Sequence, residues 1–135
     1  MDTNVLVAGL RSRRGASNEL LSLLRGGKWT LVLSNTVLSE YHEVLHRDAG
    51  VLGLTGDDAN AYLDVLCAQA ERWAMTSQWQ PVAADADDEP IVQLAREAKV
   101  SYLLTHNVRD VQGATQFGVQ VMRPAEFLDL LRKAV

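Results

Sequence analysis

Cysteine is nearly absent: Cys67 stands alone in 135 residues. With no second thiol to pair with, no internal disulfide framework supports the fold, and a reducing compartment such as the cytoplasm fits this usage. Long apolar runs are lacking too. The longest are about six residues, against the roughly 20 that span a bilayer. The opening Met1-Asp2-Thr3-Asn4 puts acid where a secretion signal puts base, and Arg11, Arg13 and Arg14 follow the apolar run instead of leading it. The expectation is a cytoplasmic protein with no membrane segment. Internal repeats and low-complexity tracts are also missing. The charge imbalance is small, formally −4, and neither points to nor excludes nucleic acid, since phosphate contact depends on local patches.

What is present, 47% hydrophobic and 22% charged side chains, has the makeup of a globular chain and the length of one domain over residues 1–135. Ala16–Arg25 carries Leu20, Leu21, Leu23 and Leu24 at helical spacing and stops at Gly26-Gly27. Trp29–Leu33 is a short β-prone run, after which Ser34 or Asn35 supplies the N-cap of a helix over Thr36–His46. Arg47–Gly56 reads as loop, with Thr55 placed to cap a helix from Asp57 to about Ala74. Gln80–Asp85 reads as another loop. Asp88-Glu89-Pro90 opens the next helix, where proline is tolerated in the first turn. Ser101–Thr105 and Val119–Met122 read as strands and Pro124–Lys133 as a closing helix. Strands alternating with helices predict an α/β domain with a mostly parallel sheet. The chemistry of such sheets sits just beyond the carboxyl ends of the strands. A buried strand leading into Asp2 is expected, yet almost nothing precedes that aspartate. Either a first strand lies upstream of Met1, which is the expectation here, or Val5–Ala8 serves in its place.

The acids gather at a few stations. Asp2 opens the chain and Glu40 sits in mid-helix. Asp85, Asp87 and Asp88 cluster before a helix, and Asp110 closes Thr105-His106-Asn107-Val108-Arg109-Asp110. Each has a plain explanation when taken singly: a helix cap for Asp88, a solvated surface acid for Glu40, a turn residue for Asp110, a loose terminus for Asp2. Carboxylates gathered beyond the strand ends would repel one another unless a cation neutralised them. Oxygen donors of this kind suit hard ions such as Mg²⁺ or Mn²⁺.

Asp2-Thr3-Asn4-Val5-Leu6-Val7, Leu38-Ser39-Glu40 with Val44-Leu45, Asp87-Asp88 with Leu94-Ala95, and Tyr102–Asn107 with Asp110 occur in that order. The succession resembles the PIN-domain nucleases, closest to the toxin-component branch that includes VapC-like ribonucleases. It runs on to Met122-Arg123-Pro124-Ala125-Glu126-Phe127-Leu128, similar to that family's closing Pro-x-x-Phe-Leu. The resemblance implies a three-layer α/β/α fold around a mostly parallel sheet. It also implies a metal-dependent endoribonuclease acting on RNA, often a toxin neutralised by an antitoxin protein and often a homodimer. Carried over residue by residue, Asp2 matches the first acid, Glu40 the second and Asp110 the last. Asp88 matches the third, chosen over Asp87 by its spacing to Ala95. Asn107 stands where many members carry aspartate, which removes one charge. These four acids would hold one or two Mg²⁺ or Mn²⁺ ions, and Thr3, Asn4, Thr105 and Asn107 would orient them by hydrogen bonds. Cleavage leaving a 5′-phosphate, with no protein nucleophile, is the implied chemistry. Arg11, Arg13, Arg14 and Lys28 are candidates for phosphate contact. Trp29, Trp73 and Trp79 are candidates for base stacking, although tryptophans more often pack in cores.

Two other readings compete. His42-Glu43-Val44-Leu45-His46 matches H-E-x-x-H, the zinc-protease signature, with two histidines one helical turn apart and a glutamate as general base. The metzincin continuation is lacking, since Ala49 stands at its glycine and Leu52 at its third histidine. Exposed helix histidines beside Glu40 account for the match better. The other alternative is a non-catalytic module of the same fold that binds RNA or protein, toward which Asn107 and the unaccounted first strand weigh.

Overall fold

The computed structural model describes residues 1–75 and 89–134. Directly after Asp2 the chain turns helical. Thr3, Val5, Leu6 and Gly9 are buried along α1 (Thr3–Arg11), a spacing that keeps them on one side of a helix and that a strand would split between two faces. Val5–Ala8 is therefore helix, and the strand considered for that segment does not form. Helix α2 (Ala16–Arg25) crosses α1 at Gly9, where a Cβ would stand 2.5 Å from the Leu21 side chain and 3.2 Å from the Ser17 backbone. Glycine allows this approach because it has nothing to place there. Asn18 closes the crossing by donating from Nδ2 to the Gly9 carbonyl at 2.8 Å. The head of α1, which carries the candidate site, is thus held in place by packing.

Past the left-handed Gly27 comes β1 (Val32–Leu33), then α3 (Asn35–Arg47). Ser34 caps α3, its Oγ accepting from the Val37 N–H at 3.2 Å. One turn, α4 (Ala49–Leu52), interrupts the expected loop over Arg47–Gly56. Thr55 and Asp58 bond reciprocally at the start of α5 (Gly56–Gln69), at 3.0 and 2.9 Å. Helix α5 ends earlier than its sequence pattern predicts. The Leu31 and Leu33 carbonyls capture the N–H groups of Glu71 and Trp73 at 2.8 and 2.9 Å, drawing Glu71–Arg72 into strand β2, parallel to β1. Next come α6 (Glu89–Glu97), β3 (Tyr102–Leu104) and a 3₁₀ helix (Val108–Phe117) that no periodicity announces. Strand β4 (Gln120–Met122) and α7 (Pro124–Lys133) close the chain. Strands β3 and β4 run parallel, with Leu103 opposite Val121. The loop expected over Gln80–Asp85 and the Asp88 start of α6 lie outside the described residues.

The class is α/β with parallel pairing, as the alternation of elements predicts. It is rich in helix, and the described strands form two separate pairs, β1–β2 and β3–β4. Side chains from α1, α2, α3, α5, α6 and α7 meet in one buried apolar cluster. No helix among the described residues is long and apolar enough to cross a membrane.

Candidate functional site

An aspartate just ahead of a helix ordinarily turns back to cap its free N–H groups. Asp2 holds that position on α1, yet its side chain caps nothing. It is only 8% exposed and reaches across to the end of β3. Thr105 Oγ1 donates to Asp2 Oδ2 at 2.7 Å, and Asn4 Nδ2 donates to the same oxygen at 3.3 Å. The backbone runs the same way: the Asp2 N–H donates to the Leu104 carbonyl at 2.8 Å, and the His106 N–H to Asn4 Oδ1 at 3.2 Å. Thr105 Oγ1 also accepts from Asn4 Nδ2 at 3.3 Å and from the Asn107 N–H at 3.0 Å. Thr105 is itself buried and tied to β4 through its N–H and the Met122 carbonyl, 3.0 Å apart. Residues 2–4 and 104–107 thereby make one polar knot, with its negative charge at the positive end of α1.

Tyr41, buried in α3, donates its hydroxyl to the Met1 carbonyl. Burial pushes this phenol well above its usual pKa, and the charges of Asp2 and Glu40 push it further. Both carboxylates therefore lie within electrostatic reach of one hydroxyl. Glu40, the residue before Tyr41 on α3, is half-buried. The Met1 amine is buried beside them and lowered to about 6 by that burial, against the attraction of Asp2.

Asp110 lies in the first turn of the 3₁₀ helix, on the segment that leaves Thr105, with its N–H on the Asn107 carbonyl at 3.0 Å. Asp88 is outside the described residues. Among those described, no three His, Cys, Asp or Glu side chains come together as a group that could hold a metal. Of the four residues expected to orient the acids, Asn4 and Thr105 bond Asp2 directly, and Asn107 joins through its backbone. Thr3 does not join. Its buried Oγ1 has no hydrogen-bond partner among the described residues. Thr3 lines instead a groove of about 450 Å³ between α1 and α3, together with Asn4, Arg11, Arg47, Asp48 and His106.

Arg11 thus borders the site. Arg13, Arg14 and Lys28 are exposed, the first two after α1 and the last ahead of β1. Arg47, His106 and Tyr41 are the residues that sequence reading passed over. Arg47 could have been found from its place two turns after Glu40 on α3. Trp29 donates Nε1–H to the Leu20 carbonyl at 2.8 Å and meets Phe127 edge-on at 5.5 Å, a packing role. Trp73 is exposed, and Trp79 is outside the described residues. The His42 and His46 rings stack 4.3 Å apart, and His46 Nε2 lies 2.8 Å from Asn60 Oδ1. No third ligand stands with them among the described residues.

A family profile described as the PIN domain matches residues 1–109. The chain belongs to the PIN-domain family. The match takes in Asp2, Glu40, Thr105 and Asn107 and ends one residue before Asp110. No curated protein and no solved structure matches the chain. PIN domains are generally nucleases, and membership makes a hydrolase of that type the activity to test at the Asp2 knot.

Proposed function

We propose that the chain is a metal-dependent endoribonuclease, one PIN domain over residues 1–135, and the toxin of a toxin–antitoxin pair. The observation that carries the nuclease reading is Asp2. It is a buried carboxylate that caps no helix; among the described residues two neutral side-chain donors bond it, both on Oδ2, and the Met1 amine attracts it. A charge buried this way is costly without a cation, and carboxylate oxygens are the donors that Mg²⁺ and Mn²⁺ prefer. Asp2, Glu40, Asp88 and Asp110 would hold such ions. A bound ion of this kind lowers the pKa of water and stabilises the charge that develops on a phosphate.

The chain's own residues do the rest. Thr105 and Asn4 hold the Asp2 carboxylate through Oδ2. Arg11 and Arg47, along the α1–α3 groove, offset phosphate charge near a pocket of acids. In this reading the two strand pairs are halves of one sheet in a three-layer α/β/α domain. The antitoxin partner and the homodimer follow from the likeness of the ordered set of motifs to the toxin branch, and a cytoplasmic location fits the single cysteine.

The test is cleavage of RNA by the purified chain in Mn²⁺. Asp2→Asn and Asp88→Asn are expected to abolish it with the fold retained. Full activity in either variant, or in EDTA, contradicts the reading. A second reading, a PIN-fold module that binds RNA or protein without cutting, is favoured by Asn107 in place of an acid. It predicts RNA binding with no cleavage by the unaltered chain.

A further inference from the structure

The groove between α1 and α3 has two unlike ends. Thr3, Asn4 and His106 form one, beside the Asp2 knot, and Arg11, Arg47 and Asp48 form the other. Val7, Ala8 and Val44 line the stretch between them, half-buried and uncharged. The two helices run side by side in one direction, since Tyr41 bonds the Met1 carbonyl at the head and the Arg11 charge acts on Asp48 at the tail. Arg11 follows Asn4 by two helical turns, and Arg47 follows Glu40 by the same interval. At 1.5 Å per residue, the arginines stand about 10 Å along the helices from the level of Asn4 and Glu40. A phosphate held there is a different one from a phosphate held at the acids.

Asp48 does not do what its position invites. It stands at the junction of α3 and α4 as the N-cap of α4, yet its side chain caps nothing. Both of its oxygens turn to Arg47 instead, Oδ1 accepting from Nε at 3.1 Å and Oδ2 from Nη2 at 3.3 Å. That bond first, then the charges of Arg47 and Arg11, hold the Asp48 carboxyl below its usual range against partial desolvation. A guanidinium fork on two oxygens is the geometry by which arginine takes a phosphate as well as a carboxylate. Two guanidinium groups border the groove end and one carboxylate answers them, which leaves one positive charge over. The pair is also open to water, with the Arg47 side chain 66% exposed. So exposed an ion pair contributes little to stability, and exchanging its anion for another costs the fold little.

We propose that the Arg11–Arg47 end of the groove is a subsite for a second backbone phosphate of an RNA strand, and that Asp48 is its built-in competitor, a carboxylate which that phosphate displaces. The inference rests on the reading of the chain as an RNA nuclease, and adds where the strand runs beyond the acids and what limits its grip. Without a strand, Asp48 satisfies the Arg47 fork. When a strand enters, phosphodiester oxygens accept from Nε and Nη2 of Arg47, Arg11 supplies the second positive charge, and the Asp48 carboxylate turns to solvent. The chain thus holds RNA less tightly than its two arginines alone allow.

The experiment is fluorescence anisotropy of a labelled ten-nucleotide oligouridylate RNA with the purified chain in EDTA, across a series of salt concentrations. Asp48→Asn is expected to tighten binding about threefold or more. Asp64→Asn makes the same change of charge at an exposed position of α5 and is expected to leave affinity unchanged. Arg11→Gln and Arg47→Gln are each expected to weaken binding about three- to tenfold and to lower the slope of log affinity against log salt by about 0.7. The gain from Asp48→Asn is expected to vanish when both arginines are replaced, because the carboxylate acts by occupying them. Equal tightening by Asp48→Asn and Asp64→Asn overturns the proposal, since net charge alone then accounts for it. So does weaker binding by Asp48→Asn, a gain that survives loss of both arginines, or no RNA binding by any of these proteins. No arm reads cleavage. A chain that binds RNA without cutting leaves the subsite standing, and a chain that cuts with an affinity indifferent to Asp48 sinks the subsite alone.

Discussion

The knot around Asp2 and the histidine face of α3 are both chemistry-bearing clusters, and they are built in opposite ways. The first gathers Asp2 and Asn4 with Thr105 and Asn107, about 100 positions further along the chain, and buries its carboxylate. The second takes His42, Glu43 and His46 from two turns of one helix and leaves His42 and Glu43 exposed. A helix delivers correct i, i+4 spacing to any sequence that folds as one, so a match of that kind demands nothing of the fold. A buried carboxylate bonded across 103 positions exists only because α1, β3 and their packing are arranged to make it. Distributed agreement is therefore stronger grounds for a site than a compact motif.

The contrast can be broken most sharply at Thr105. Thr105→Val keeps the shape and removes the hydroxyl that bonds Asp2, Asn4 and the Asn107 N–H. Mn²⁺-dependent RNA cleavage is expected to fall ~10–100-fold, measured at saturating Mn²⁺. Unchanged activity would reduce the knot to a structural contact.

A somewhat smaller effect concerns the Met1 amine, buried at the same end. The folded state holds it at about 6, below its ordinary value near 8. Between those values the unfolded chain binds more protons than the folded one, so stability rises as pH goes from 6 to 8 and levels off above. The rise is at most on the order of 2–3 kcal/mol, read by urea unfolding of the metal-free chain in EDTA. A flat profile would contradict the burial.

The smallest effect is expected on the exposed face. His46→Ala loses the contact with Asn60 and is expected to change stability by no more than about 0.5 kcal/mol, leaving Mn²⁺-dependent cleavage intact. Stoichiometric zinc in the purified protein, with peptide cleavage lost in this variant, would reverse the ranking of the two clusters.

Much of this architecture is legible in the sequence where the signals are local. Ser34 and Thr55 cap the helices they precede, the leucines of α2 show their period, and β3, β4 and α7 fall close to where apolar pattern puts them. The helical state of Val5–Ala8 is less legible. Two valines in a short apolar run suit a strand, and the Gly9 crossing that buries α1 is a tertiary event. The shortening of α5 likewise depends on β1, nearly 40 residues earlier, capturing its exit. At the site, Asp2, Asn4 and Thr105 are visible as an ordered set. Tyr41 is not, because its bond to Met1 spans 40 positions. Thr3, expected beside them, has no hydrogen-bond partner for its Oγ1 among the described residues.

As proposed, Asp2, Glu40, Asp88 and Asp110 hold one or two hard cations. Mn²⁺ titration followed by electron paramagnetic resonance, on the unaltered chain and on Asp2→Asn, Glu40→Gln, Asp88→Asn and Asp110→Asn, tests it most directly. Binding to the unaltered chain, weakened about tenfold or more in each variant, is the predicted result. Binding of equal strength in all five proteins, or in none, would contradict it.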